Sequence, residues 1–82
     1  MVTRGQIPWK AVRRMLDVCA EGWRYEDKVH KRWLYYGDRR AFLPLGKHGH
    51  RRDPEIEVGH IRGLVRQFGI DDCAKQELEQ LR

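Results

Sequence analysis

His30 sits within a run of cations, with Lys28 two residues before it, Lys31 and Arg32 directly after it, and Arg39 and Arg40 a short stretch further on. An imidazole with a pKa near about 6.5 can accept the proton of a ribose 2′-hydroxyl or donate one to a leaving oxygen, so RNA cleavage by such a group needs no metal. Neighbouring Lys and Arg side chains can stabilise charge developing on phosphate, or bind phosphate without catalysing anything. On residue type alone, a half-exposed strand histidine bonded to a carbonyl is the commoner use of such a residue.

The cations are concentrated. Residues 28–52 hold eight Lys or Arg against one acid, Asp38, whereas the rest of the chain holds nine basic residues against eleven acids, within a net charge of +5. A local field of this kind attracts polyanions, with an affinity that falls as salt rises. Gly46 to Pro54 has loop composition, with two glycines, a proline and Lys47, His48, His50, Arg51 and Arg52. Such a segment has little capacity to bury itself. The expected nucleic-acid contacts are therefore Lys28, Lys31, Arg32, Arg39, Arg40, Lys47, His48, His50, Arg51 and Arg52. Trp33, Tyr35 and Phe42 either stack on unpaired bases or belong to the core, the core being the usual fate of aromatics in so small a domain. Trp9 and Trp23 read as packing residues.

Several chemistries are excluded or disfavoured. No P-loop, GxSxG, HExxH or paired-carboxylate motif is present. His48, His50, His60 and Cys73 lack a standard ligand spacing, so neither a metal site nor a cofactor is expected. Cys19 and Cys73 are far apart without CxxC spacing and read as reduced residues on helices, a disulfide between the two terminal helices being the alternative. Met1 to Gln6 has no apolar signal core and no run of 18 apolar residues occurs, which makes the cytoplasm the default compartment.

The elements that must position these residues follow from periodicity. With 82 residues the chain makes one domain, burying only about 60–65% of its unfolded surface and leaving no room for a large substrate cavity. Val12, Met15, Leu16 and Cys19 keep a helical rhythm after Pro8, predicting a first helix over 8–21. Three short strands are predicted near 23–26, 30–36 and 39–45, with Tyr36-Gly37-Asp38 as a turn and Pro44 at a strand end. Strand alternation puts His30, Arg32, Leu34 and Tyr36 on one side and Lys31, Trp33 and Tyr35 on the other. Val58, Ile61, Leu64, Val65 and Phe68 mark a second helix over 58–68, closed by Gly69. Ala74, Leu78 and Leu81 suggest a short C-terminal helix over 72–81, capped by Asp71 or Asp72. The order is α-β-β-β-α with an extra helix, an α+β domain with a core over 8–70. An antiparallel three-stranded sheet with helices on one face fits that order.

Gly22-Trp23 after the first helix, His30 followed by Trp33, the Leu43-Pro44 step, and Gly59, Ile61, Leu64, Val65, Gly69 and Ile70 along the second helix together resemble the HicA-type toxin family. The resemblance runs from about Pro8 to Ile70. It implies a double-stranded-RNA-binding-like fold, endoribonuclease action on mRNA with His30 as the catalytic histidine, and neutralisation by an acidic HicB-type antitoxin. Departures from the pattern are Lys28-Val29 where the family has Gly-Ser or Gly-Gly, Lys31 for a frequent second histidine, His60 for Thr, and a longer loop at 46–54.

Other readings stand beside this one. A non-catalytic nucleic-acid-binding module, of phage-related type, would keep the basic surface and lose the chemistry. A protein-interaction domain would set the same surface against an acidic partner, and a chain this small suits a homo-oligomer or hetero-complex. Reading Val58 to Phe68 as a DNA recognition helix is disfavoured, because strands rather than a helix and short turn precede it.

Overall fold

The structure is a computed structural model that describes residues 5–44 and 54–82. The elements are β1 (Gln6–Pro8), α1 (Trp9–Cys19), β2 (Arg24–Lys28), β3 (Lys31–Tyr36), β4 (Arg39–Pro44), β5 (Glu55–Glu57), α2 (Val58–Phe68) and α3 (Asp71–Glu77), then a short 3-10 turn over Glu79–Leu81. The three-stranded sheet is antiparallel in the order β2-β3-β4, and β1 pairs with β5 in a separate antiparallel ribbon. The expected α+β class and the three-stranded antiparallel sheet are both present.

The helices form where apolar residues recur on one face. Trp9, Val12, Met15 and Leu16 of α1 and Ile61, Leu64, Val65 and Phe68 of α2 are buried, meeting Leu34 and Leu43 from the inner face of the sheet. At about 25 cal/mol per Å² of apolar area, such a cluster supplies the main stabilisation of a domain this size. Helix α2 has the predicted limits, because Gly69 adopts a left-handed φ of 72° and ends it. The Gly69 N–H donates to the Arg66 carbonyl at 3.1 Å and the Ile70 N–H to the Val65 carbonyl at 2.9 Å, a Schellman closure. Helix α1 is shorter than expected, running only to Cys19, with Gly22 in a positive-φ turn beyond it.

The β1-β5 ribbon was not foreseen. It pairs Ile7 with Ile56, both buried, and sets the starts of α1 and α2 side by side. Its ends are tied by the Trp9 N–H to the Pro54 carbonyl at 2.8 Å and the Val58 N–H to the Gly5 carbonyl at 3.3 Å. Each strand offers a single isoleucine, Ile7 between Gln6 and Pro8 and Ile56 between Glu55 and Glu57, a pattern too short to predict a strand from sequence alone.

The C-terminal helix differs in two ways from the expectation. Ile70 rather than an aspartate precedes it, with Asp71 and Asp72 inside the first turn, where their charge suits the helix dipole. It breaks at Leu78, after which the 3-10 turn keeps Leu78 and Leu81 buried. The Arg82 guanidinium donates to the carbonyls of Lys75 at 2.9 Å and Gln76 at 3.3 Å, satisfying acceptors that the helix end leaves open.

Cys19 and Cys73 form a disulfide, which corrects the expectation of reduced cysteines. The packing of α1 against α3 places the two Cα atoms 5.7 Å apart across a sequence separation of 54, within the range a disulfide spans. No sequence spacing encodes that approach.

Arg32 decides which side of the sheet faces inward. It is only 7% exposed, its guanidinium lies 4.6 Å from the Trp9 ring centre and 5.0 Å from that of Tyr25, and it grips Asp27 through two bonds of 2.6 and 3.1 Å. Arginine suits this position because its planar fork pairs with a carboxylate while its faces stack on rings.

Two stability changes follow. Reduction with dithiothreitol, or replacement of both cysteines by serine, lowers the free energy of urea unfolding by about 2–4 kcal/mol, because the crosslink closes a long loop. Arg32→Ala costs about 1–3 kcal/mol, and Arg32→Met, which keeps the aliphatic stem between the rings, costs less. An unchanged urea midpoint for Arg32→Ala would contradict this packing role.

Candidate nucleic-acid interface

With Arg32 and Leu34 turned inward, the pleat turns Lys31, Trp33 and Tyr35 outward. Register extends this face across the three strands in rows: Arg24, Tyr35 and Arg40; Glu26, Trp33 and Phe42; Lys28, Lys31 and Pro44. Four cations and one acid therefore share one side of the sheet with three aromatic rings.

The rings and cations are interleaved. The Arg24 guanidinium lies 4.7 Å from the Tyr35 ring centre, the Lys31 ammonium 4.6 Å from Phe42, and the Arg40 guanidinium 5.7 Å from Trp33. Trp33 and Phe42 face each other directly across β3 and β4, with ring centres 5.2 Å apart. The Tyr35 hydroxyl donates to Glu26 at 3.2 Å, and Lys28 lies 3.7 Å from the same carboxylate. Phe42 is 45% exposed and Trp33 and Tyr35 are half-buried, so their rings remain open to a ligand. The second set of rings, Trp9, Trp23 and Tyr25, packs edge-on and stacked at 5.3–6.0 Å around α1 and the inward side of β2.

The candidate residues fall into separate groups. Lys28, Lys31 and Arg40 lie on the open face. Arg32 lies on the opposite face, held by Asp27. Arg39 shares that inward parity, and its guanidinium donates to the Gln67 carbonyl at 3.3 Å, beside the C-terminal end of α2 where a cation is favoured. Lys47, His48, His50, Arg51 and Arg52 lie outside the described residues. Arg24 joins the face without having been singled out, since it falls before the basic window. Only the extension of β2 to Lys28 and its pairing with β3 reveal its parity.

His30 is not on a strand, contrary to expectation. Because Lys28 pairs with Lys31, Val29 and His30 become a two-residue hairpin loop, and His30 takes a left-handed φ of 63°. This removes it from the alternation that grouped it with Arg32. It is exposed at the hairpin tip, next to the row formed by Lys28 and Lys31. No hydrogen-bond or ion-pair partner meets it among the described residues. The second hairpin turn is the predicted one: Gly37, at φ 63°, occupies the first of two loop positions, where a type II′ turn needs a positive φ.

Among the described residues no group of three or more His, Cys, Asp or Glu stands close enough to hold a metal ion, and no helix is long and apolar enough to cross a membrane. No protein-family model, curated protein or solved structure matches this chain.

Proposed function

We propose that this chain is a small RNA-binding domain that takes an unpaired strand across the open face of β2-β3-β4. The observation that carries the reading is the row geometry of that face, where Trp33, Tyr35 and Phe42 alternate with Arg24, Lys28, Lys31 and Arg40. Unpaired bases stack on aromatic rings and on guanidinium planes, while cations between the rings meet the phosphates. Duplex RNA is gripped by shape and offers few base faces, so this surface suits single-stranded RNA better.

The resemblance to HicA-type toxins supports a more specific form of the reading, that of a divergent member with a double-stranded-RNA-binding-like fold. In that form the protein cleaves mRNA in the cytoplasm without a metal and is silenced by an acidic antitoxin covering the cationic face. His30 would take the proton from a 2′-hydroxyl as its oxygen attacks the neighbouring phosphorus. The 5′-oxygen would leave with a proton from solvent, giving a 2′,3′-cyclic phosphate and a 5′-hydroxyl. Lys28 and Lys31, which flank the hairpin tip, would balance charge on the phosphate oxygens. A cytoplasmic setting further requires a protein that holds its fold with Cys19 and Cys73 reduced.

One observation favours binding without cleavage. Among the described residues nothing orients the His30 ring, whereas a general base is ordinarily held in place by a hydrogen bond.

Two measurements address these readings. In fluorescence anisotropy with a short unpaired RNA, four phosphate contacts give a slope of log K against log salt of about −3 or steeper, so affinity drops roughly 50-fold between about 50 and 200 mM salt. Trp33→Ala weakens binding about 5- to 100-fold. Wild-type affinity for this variant would remove the sheet face from the interface. In a cleavage assay, the catalytic form requires product with a cyclic phosphate from wild type and at least a hundredfold slower turnover by His30→Ala. Binding without any product leaves the module non-catalytic.

A further inference from the structure

Along the outer edge of β4 the open sheet face continues into a groove of about 580 Å³ between β4 and α2, a size within the range of small-ligand sites. One wall carries Trp33, Arg40 and Phe42, and the other carries His60, Gly63 and Gln67. The groove therefore shares the ring pair Trp33 and Phe42 with the sheet face, and adds hydrogen-bonding groups from the helix.

The helix wall is flat. A Cβ placed on Gly63, or on Gly59 one turn earlier, would meet no atom of the described residues within 4 Å, so nothing among them fills the space beside the helix backbone there. Gln67 follows Gly63 by four residues and lies on the same side of α2. Its side-chain amide, exposed and with no partner among the described residues, offers donors and an acceptor in one plane. The Nε2 of His60 is 3.4 Å from Glu57, and among the described residues its other ring nitrogen has no partner.

We infer that this groove holds one unpaired adenine of a bound RNA strand, an assignment that rests on the RNA-binding reading above. The base stacks at Trp33 and Phe42 and lies against the glycine-lined helix, with its phosphate near Arg40. Gln67 supplies the base readout, because a primary amide matches the adjacent donor and acceptor of adenine, and the larger purine ring covers more of the Trp33–Phe42 pair than cytosine, whose edge carries the same donor–acceptor pattern. Guanine would call on an arginine fork, and Arg40, the arginine of this wall, is taken up by the phosphate. The ring pair favours a nucleotide over an acidic peptide at this position, since both bring negative charge to Arg40 but only the nucleotide brings a base to stack on Trp33 and Phe42.

The test compares binding of a short uracil tract with the same tract carrying one adenine, and separately one cytosine, by anisotropy at fixed salt. The wild type should bind the adenine-containing RNA at least about fivefold more tightly than the other two. Gln67→Ala and Gly63→Leu should bring all three within about twofold of each other, with the salt slope unchanged. Leucine at position 63 is a better helix former than glycine and its Cβ meets no described residue, so thermal unfolding of Gly63→Leu should occur no lower than in the wild type. Should that variant prove destabilised, Gln67→Ala alone carries the test. Equal binding of the three RNAs by the wild type, or an adenine preference that survives in Gln67→Ala, overturns the groove assignment. If no RNA binds and Trp33→Ala changes nothing, the RNA-binding reading itself fails, which is a distinct result.

Discussion

The parity of β3 is the constraint on which the rest of the molecule depends, and the Arg32–Asp27 pair holds it. A guanidinium removed from water is costly unless its donors and faces are engaged. Here Asp27 takes two of the donors, at Nε and Nη2, while Trp9 and Tyr25 lie against the faces. A slip of one residue would carry Lys31 and Trp33 inward and drive Leu34 out, with no partner waiting for the lysine. The same pair therefore fixes the hydrophobic core on one side of the sheet and the row of rings and cations on the other.

Among the described residues the chain closes around this sheet in three places. The β1-β5 ribbon joins the starts of α1 and α2, the disulfide joins the end of α1 to α3, and Arg39 ties β4 to the last turn of α2. A domain this small has little core to spare, and linking segments distant in sequence lowers the entropy of the competing unfolded chain. Among the described residues these ties leave the outer face of the sheet open. Its aromatic rings have cations close by, so the surface presents charge and ring faces together rather than a bare apolar patch.

The sequence was a better guide to elements than to neighbours. Helix α2 was legible to the residue, because an apolar stripe from Val58 to Phe68 and a left-handed glycine are both local signals. The three strands were legible to within two residues. His30 was misplaced by such an error: extending β2 to Lys28 turns a strand histidine into a loop histidine with a positive φ. The cluster of cations was plain in the sequence, but their division was not. Arg32 and Arg39 turn to the helices while Lys28, Lys31 and Arg40 turn to solvent, a split that depends on where each strand starts.

By itself the sequence determined the α+β class, the helical stripes, the hairpin turn at Gly37 and the concentration of positive charge. Each of these is written within a window of a dozen or so residues, where periodicity and turn chemistry act. Only the tertiary structure decided that Cys19 meets Cys73, that Ile7 pairs with Ile56, and that Arg24 joins the aromatic face. The groove between β4 and α2 belongs to the same group. Each of these pairs segments far apart in sequence or sets strand against strand, and such proximity comes from packing a shared core rather than from any local preference of the chain.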